Sequence, residues 1–314
     1  MREIIVKCVD TFTSKSFAGN PAGIIDNAAG LADEAMQRVA AEMMLNIVEY
    51  AFLFPADTKG AVRRARYFTP QREIDLSGHV TIAACHSLIE DGAVALEEGI
   101  TKVVFDTAMG SVPLEVHARR TSSGLAVEKI MMNQALHGFR YADITAAEIA
   151  SVLGIPAREI AGTGLPLMIA SQALDWLIVP VKSKETILDM HPDLIKLARL
   201  NRRHGVMTNH VFTLDTFDSN AIAYARHFGP VIGIWEDPAT AVAAGVLGTY
   251  LLQHGVTTAG SMLMQQGKET DSLAEVLVEI ESRDGAVTAM RVGGKATTSI
   301  TQAVRVESDA IVVA

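Results

Sequence analysis

Four short stretches hold the residue types that could do chemistry in this chain. In Asn46-Ile47-Val48-Glu49-Tyr50-Ala51-Phe52 a single carboxylate stands among apolar neighbours at the start of a strand. Burial there disfavours the charged form and raises a carboxyl pKa, which suits a group that must both take and give a proton near neutrality. Glu49 is therefore a candidate acid/base, although the same pattern fits a strand-edge glutamate facing water. At Ser77-Gly78-His79-Val80-Thr81 a helix begins. Its free N–H groups and positive dipole end favour an anionic ligand by roughly 0.3 to 2 kcal/mol, and Gly78 lets that ligand approach the backbone. His79 faces such a ligand on one reading and helps to cap its helix on the other. Trp235-Glu236-Asp237-Pro238-Ala239-Thr240 opens a second helix, with Asp237 expected as cap and Pro238 in the first turn. The glycine turns Ala18-Gly19-Asn20-Pro21 and Gly162-Thr163-Gly164 are explained by turn chemistry alone.

The elements that must position these residues are duplicated. Ala65-Arg66-Tyr67-Phe68-Thr69-Pro70 returns as Ala225-Arg226-His227-Phe228-Gly229-Pro230, and each copy runs into an acidic turn and then a helix of small apolar residues ending near Gly92 or Gly255. Such a repeat implies two similar halves with a cleft between them, and it brings the Asp237 turn opposite the Gly78-His79 turn. The acids beside each repeat, Glu73 with Asp75 and Glu236 with Asp237, are expected near that cleft. Helices apolar around most of their circumference are wrapped by other structure, so each is the expected core helix of its half. Strands are expected at Ile4–Val9, Tyr50–Phe54, Lys102–Phe105, Trp176–Val179, Val276–Ile280 and Ala303–Val306. Surface helices are expected at Ala32–Met44, at Thr145–Leu153 with a Thr145/Glu148 capping box, and at Lys184–Leu200. Short strands around small-residue helices mean curled sheets, each enclosing a helix. The boundary falls in the turn-rich stretch Asn133–Asp143, giving domains 1–135 and 136–314, the last strands able to cross back to the first domain.

At 314 residues, 49% hydrophobic and 20% charged, the chain can bury two ordinary cores. A formal charge of −9 without a basic run argues against a nucleic-acid surface. The apolar run Ala241–Leu252 is short of the ~18 to 20 residues that span a bilayer, and the amino terminus reads as a strand, so a soluble cytoplasmic protein is expected. Two cysteines, Cys8 in a strand and Cys85 in a core helix, support neither a disulfide framework nor a zinc site. The histidines form no His-x-His or His-Glu-x-x-His, so no metal is expected. Gly293-Gly294-Lys295-Ala296 and Gly162-Thr163-Gly164 fall short of nucleotide-binding loops, and no Gly-x-Ser-x-Gly occurs, so no cofactor and no common serine nucleophile are expected.

Phe17-Ala18-Gly19-Asn20-Pro21-Ala22-Gly23, Glu49-Tyr50-Ala51-Phe52, Arg66-Tyr67-Phe68-Thr69-Pro70 through Gly78-His79, Gly162-Thr163-Gly164-Leu165, Arg226-His227-Phe228 through Glu236-Asp237-Pro238-Ala239-Thr240, and Gln266-Gly267 occur in one order. In that order and spacing the chain resembles the phenazine-biosynthesis PhzF-like family over nearly its whole length. The resemblance implies the diaminopimelate-epimerase-like α+β fold: two pseudo-symmetric domains, each an open β-barrel wrapped around one central helix, commonly as a homodimer. It implies a cofactor-independent isomerase that moves a proton on a small carboxylated substrate through one glutamate. Carried over by motif, Glu49 resembles the proton-transfer residue, His79 and Asp237 its substrate-orienting partners, and Asn20, Gly78, Ala241 and Val242 fall at substrate-binding positions. Related racemases use a cysteine from each half. Here the matching positions look like Glu49 and Asp237, which disfavours a two-thiol racemase.

The departures from the family pattern point elsewhere. Ala241-Val242 stands where members usually have Gly-Ser, and Val48 where they usually have Ser or Thr, so two hydroxyl donors are gone. Each such bond to a charged group contributes about 1.5 to 3 kcal/mol, and losing both weakens carboxylate binding on the order of a hundredfold or more. The family's Met-Gly-Arg-Pro-Ser after Gln-Gly is replaced by Glu269-Thr270-Asp271-Ser272 after Lys268. The namesake substrate is therefore not expected. Two other readings stay open: a non-catalytic small-molecule-binding member of the fold, and an amino-acid epimerase using Glu49 and Asp237 from opposite faces.

Overall fold

The computed structural model describes residues 2–43, 47, 49–122, 124–171, 174–268 and 272–306. The chain runs β1 (Arg2–Thr11), β2 (Asn20–Ile25), α1 (Asp33–Glu42), β3 (Tyr50–Phe54), β4 (Arg63–Phe68), β5 (Glu73–Ile74), α2 (Gly78–Glu90), β6 (Gly99–Thr107), β7 (Gly110–Thr121) and β8 (Gly124–Asn133). It continues through β9 (Gly138–Tyr141), α3 (Ala146–Leu153), α4 (Arg158–Ala161), β10 (Met168–Ser171), β11 (Asp175–Pro180), α5 (Lys184–Leu188), α6 (Leu194–His204), β12 (Thr208–Thr213) and β13 (Ala221–Gly229). The remaining elements are β14 (Ile234–Asp237), α7 (Ala241–Gln253), β15 (Gly260–Gln266), β16 (Ala274–Arg283), β17 (Ala286–Gly294) and β18 (Ala296–Val306). This is an α+β chain in two units, Met1–Met132 with Gly293–Ala314, and Asn133–Val292.

Each unit repeats one topology. In the first, β1 pairs antiparallel with β2, β2 parallel with β3, β3 and β4 antiparallel, β4 antiparallel with β5 and parallel with β6, and β6 antiparallel with β7. In the second, β10, β11, β12, β13, β14, β15 and β16 pair in the same order and the same senses. The hexapeptide repeat is the strand β4 and its copy β13. Arg66 makes a two-pronged ion pair with Glu73 at 2.7 Å on each prong, and Arg226 does the same with Glu236 at 2.7 and 2.8 Å. Glu73 and Glu236 are thus taken up in tying β4 to β5 and β13 to β14, which explains these two acids beside the repeat as structural residues.

The core helices are wrapped as their composition requires. In α2 Val80–Cys85, Ser87 and Leu88 are buried, and the helix packs on β1, β2, β3 and β18. In α7 every residue from Ala243 to Leu251 is buried. Its Tyr250 meets Phe212 of β12 edge-on, and Gly248 leaves room for Val278 and Ile280 of β16. Both helices end in the same way. Gly92 and Gly255 take left-handed φ values of 71° and 67°, and the next amides, Ala93 and Val256, close back on Leu88 and Leu251. The outer face of each sheet is covered separately, by α1 over Ile4, Val6, Phe52 and Phe68, and by α3 and α6 over Leu177, Val179, Val211 and Phe228.

The Thr145/Glu148 capping box is present at the start of α3. Lys184–Leu200, expected as one helix, is two. Leu188 ends α5, Pro192 disfavours helical geometry in the residue before it, and Asp193 accepts from the Lys196 amide to start α6 anew.

Candidate active site

Glu49 sits one residue ahead of β3, where its backbone is fixed from β2. Its carbonyl accepts from the Gly23 amide at 3.1 Å, and Gly23 must be glycine because a Cβ would lie 2.1 Å from the Tyr50 ring. Tyr50 is fully buried, its hydroxyl donates to the Met43 carbonyl, and burial pushes its phenol up to about 12. The Glu49 side chain is 20% exposed, neither sealed in the core nor bathed in solvent.

The start of α2 is fixed from β4. Thr81 Oγ1 donates to the Ser77 carbonyl at 2.6 Å, so it accepts from the Tyr67 hydroxyl at 2.7 Å, and Tyr67 of the hexapeptide thereby holds the first turn. Ser77 is the N-cap residue, yet its side chain does not cap the helix. It donates to Glu49 Oε2 instead, and lies 3.3 Å from His79 Nδ1, itself 3.7 Å from Glu49 Oε2. Because the only Ser77 proton goes to Glu49, its lone pair is what faces the imidazole, which places the ring proton on Nδ1. His79 Nε2 is buried and has no hydrogen-bond partner among the described residues. In a neutral ring it is an acceptor, ready for a ligand hydroxyl or amine.

The second unit holds a parallel arrangement. Asp237 is the last residue of β14, and α7 starts four residues later with Thr240 as N-cap, so the expectation of Asp237 as cap with Pro238 in the first turn is corrected. The reason is the pairing of Asp237 with His227 in β13, which keeps it in the strand. Thr240, like Ser77, leaves its helix uncapped and donates to a carboxylate, Asp237 Oδ2, at 2.5 Å. Gln266 at the end of β15 reaches both residues.

Superposing the two topologies element by element shows which positions correspond. Ser77 and Thr240 are both N-caps of the core helices, whereas Glu49 precedes β3 and Asp237 ends β14. Glu49 and Asp237 are therefore not repeat-equivalent, whereas Ser77 and Thr240 are. Sequence reasoning passed over these two hydroxyls. Their signal is a Ser or Thr directly before a small-residue helix with no Glu or Gln three positions on, so no capping box competes for the side chain.

The other candidate residues are placed as follows. Asn20 is buried in β2 beside Thr11, whose hydroxyl donates to its carbonyl at 2.9 Å. Gly78 opens α2, where a Cβ would lie 2.9 Å from the flexible end of Met132. Ala241 and Val242 form the first turn of α7, the Val242 carbonyl accepting from Gln134 Nε2 at 2.9 Å. Val48 lies outside the described residues. Cys8 and Cys85 are buried, and burial pushes the Cys85 thiol up to about 12. Among the described residues no group of three or more His, Cys, Asp and Glu could hold a metal ion, and no helix is long and apolar enough to cross a membrane.

Residues 9–302 match the family model of the phenazine biosynthesis-like proteins, PhzC-PhzF. An uncharacterized isomerase of Deinococcus radiodurans is 33% identical over 91% of this chain and 90% of its own length, and one of Clostridium acetobutylicum is 30% identical over 88% of each. The crystal structure of the Bacillus anthracis phenazine biosynthesis protein of the PhzF family superposes with a TM-score of 0.84 at 28% identity, over 97% of this chain and 100% of that one. By family, fold and the naming of its relatives, this chain belongs to the phenazine biosynthesis-like PhzC-PhzF family and is an isomerase.

Proposed function

We propose that the chain shifts a proton between carbons of a small carboxylated molecule without a cofactor, with Glu49 as both base and acid. The single observation that carries this reading is the Ser77–Glu49–His79 cluster: a carboxylate held by a hydroxyl, largely shielded from water, beside an imidazole with an unused buried nitrogen. A carboxylate that only accepts from Ser77 is set to take a proton from a carbon next to an electron-withdrawing group. The electron pair left behind spreads over the conjugated system, and protonated Glu49 returns the proton to another carbon. No atom is oxidised or reduced, so the chemistry calls for no redox group. The substrate carboxylate is assigned to the free amides at the start of α2, where Gly78 leaves the backbone open, and a substrate hydroxyl or amine to His79 Nε2. Asp237, held by Thr240, is assigned a substrate-orienting role. Val242, which offers no hydroxyl at the start of α7, favours a substrate other than the namesake's.

The test is incubation with a library of unsaturated amino and hydroxy acids in heavy water, read by mass spectrometry. Deuterium uptake into at least one compound is expected from the wild type, and none from Glu49→Gln with binding and Tm nearly unchanged. Uptake by Glu49→Gln removes Glu49 from the mechanism. Uptake at a stereocentre with inversion supports an epimerase instead, and no uptake from any compound supports a non-catalytic binder.

A further inference from the structure

The hydrogen bonds around Asp237 fix the direction of every proton in them. The Thr240 amide donates to Gln266 Oε1 at 3.0 Å, and Gln266 Nε2 donates to the Asp237 carbonyl at 2.8 Å and to Thr240 Oγ1 at 3.1 Å. A main-chain N–H can only donate and a main-chain carbonyl can only accept, so these two contacts leave the Gln266 amide a single orientation. Thr240 Oγ1 therefore accepts from Gln266, and its own proton is directed to Asp237 Oδ2 at 2.5 Å. The Thr240 hydroxyl is not spent on the helix, since it does not cap α7.

We propose that Gln266 and Thr240 are positioning residues that lock Asp237 as a hydrogen-bond acceptor at the entrance of α7. The Gln266 amide sets the Thr240 hydroxyl, and the hydroxyl sets the carboxylate. Ser77 with His79 Nδ1 repeats this arrangement on Glu49 in the first unit, with an imidazole N–H in place of the amide. Of the relay's neighbours on the strands, His227, opposite Asp237 in β13, is kept neutral by burial, and Glu236 is paired with Arg226. What the lock does for turnover rests on the assignment of Asp237 to substrate orientation; the lock itself does not.

The hydroxyl proton of Thr240 reads the lock directly by NMR of the full-length protein at neutral pH, independently of any substrate. A hydroxyl held on a carboxylate resonates downfield and exchanges slowly with water. Wild type and Thr240→Ser are expected to show such a proton, and Thr240→Val to lack it. In Asp237→Ala its exchange is expected to quicken by roughly tenfold or more, the factor that goes with losing one charge-assisted hydrogen bond, and in Gln266→Met, which removes a neutral one, by roughly two- to tenfold. A protected hydroxyl unchanged in Asp237→Ala overturns the proposal, because the proton then points elsewhere. One unchanged in Gln266→Met, or no protected hydroxyl in the wild type, overturns it equally.

Discussion

Ser77 shows how one hydroxyl can be withdrawn from a structural task and given to chemistry. An N-cap serine ordinarily bonds an amide in the first turn, and removing it then costs about 1 kcal/mol of stability. Here the hydroxyl bonds Glu49 across 28 residues of sequence, while α2 is held by Tyr67 and Thr81 through the Ser77 backbone. Ser77→Ala should therefore act on turnover rather than on folding. A hydrogen bond to a charged group contributes about 1.5–3 kcal/mol, so deuterium transfer by Ser77→Ala is expected to fall between about tenfold and a hundredfold or more, with Tm nearly unchanged. A variant with full exchange activity would show that Glu49 does not depend on this donor. A variant that melts well below the wild type would show that Ser77 is a cap after all.

Among the elements, β12 and β13 carry a pair with no counterpart in the first unit. His210 and His227 face each other with their Nδ1 atoms 3.3 Å apart, both buried, His227 lying against Trp176. The corresponding pair in β3 and β4 is Ala51 and Tyr67. Burial pushes His210 down to about 3, and burial with the neighbouring His210 pushes His227 well below its ordinary 6.5. The native state thus holds both rings neutral, while the unfolded chain protonates them as pH falls below about 6.5. Between that value and about 3 the unfolded state binds more protons, so stability is complete above the unfolded pKa and is lost as pH falls. Urea unfolding at about pH 7 and about pH 5 should show a loss of up to ~1.4 kcal/mol per pH unit for each ring that titrates only on unfolding. The double variant His210→Ala with His227→Tyr, which installs the first unit's own pair, should flatten that acid limb; an unchanged limb would assign it to other groups. The same strands show what was legible in sequence. Their hexapeptide repeat, the small-residue helices, their glycine closures and the Thr145 capping box are local patterns, and each is read from neighbours a few residues apart. The break between α5 and α6 was missed because the apolar period continues across Pro192, whose effect on His191 outweighs it. The hydroxyls of Ser77 and Thr240 were missed because their partners are chosen by tertiary contact. Local pattern describes an N-cap; only the fold shows that it is turned away from its helix.

For the whole molecule, the path of the chain sets which parts depend on each other. After β17 it returns to the first unit, and β18 runs the length of β1, from Val306 opposite Arg2 to Ala296 opposite Thr11. Ile300, Val304 and Val306 of β18 pack on the core that holds Ile4, Val6, Cys8 and Tyr50, and β18 also touches α2. The strand that follows Glu49 and the helix that follows Ser77 thus rest on residues more than 200 positions later in sequence, whereas Asp237, Thr240 and Gln266 lie in a unit that is continuous from Asn133 to Val292. Ending the chain after Val292 should therefore separate the two. Both tryptophans, Trp176 and Trp235, lie in the second unit and report on it alone. A native-like tryptophan spectrum is expected from the truncated chain, together with loss of amide protection in β1 and α2 by hydrogen exchange, since a strand stripped of its neighbour leaves a row of buried donors unpaired. Retained protection in β1 and α2 would mean that the first unit closes without β18. Loss of the tryptophan signal as well would mean that the second unit cannot hold its fold once the first has opened.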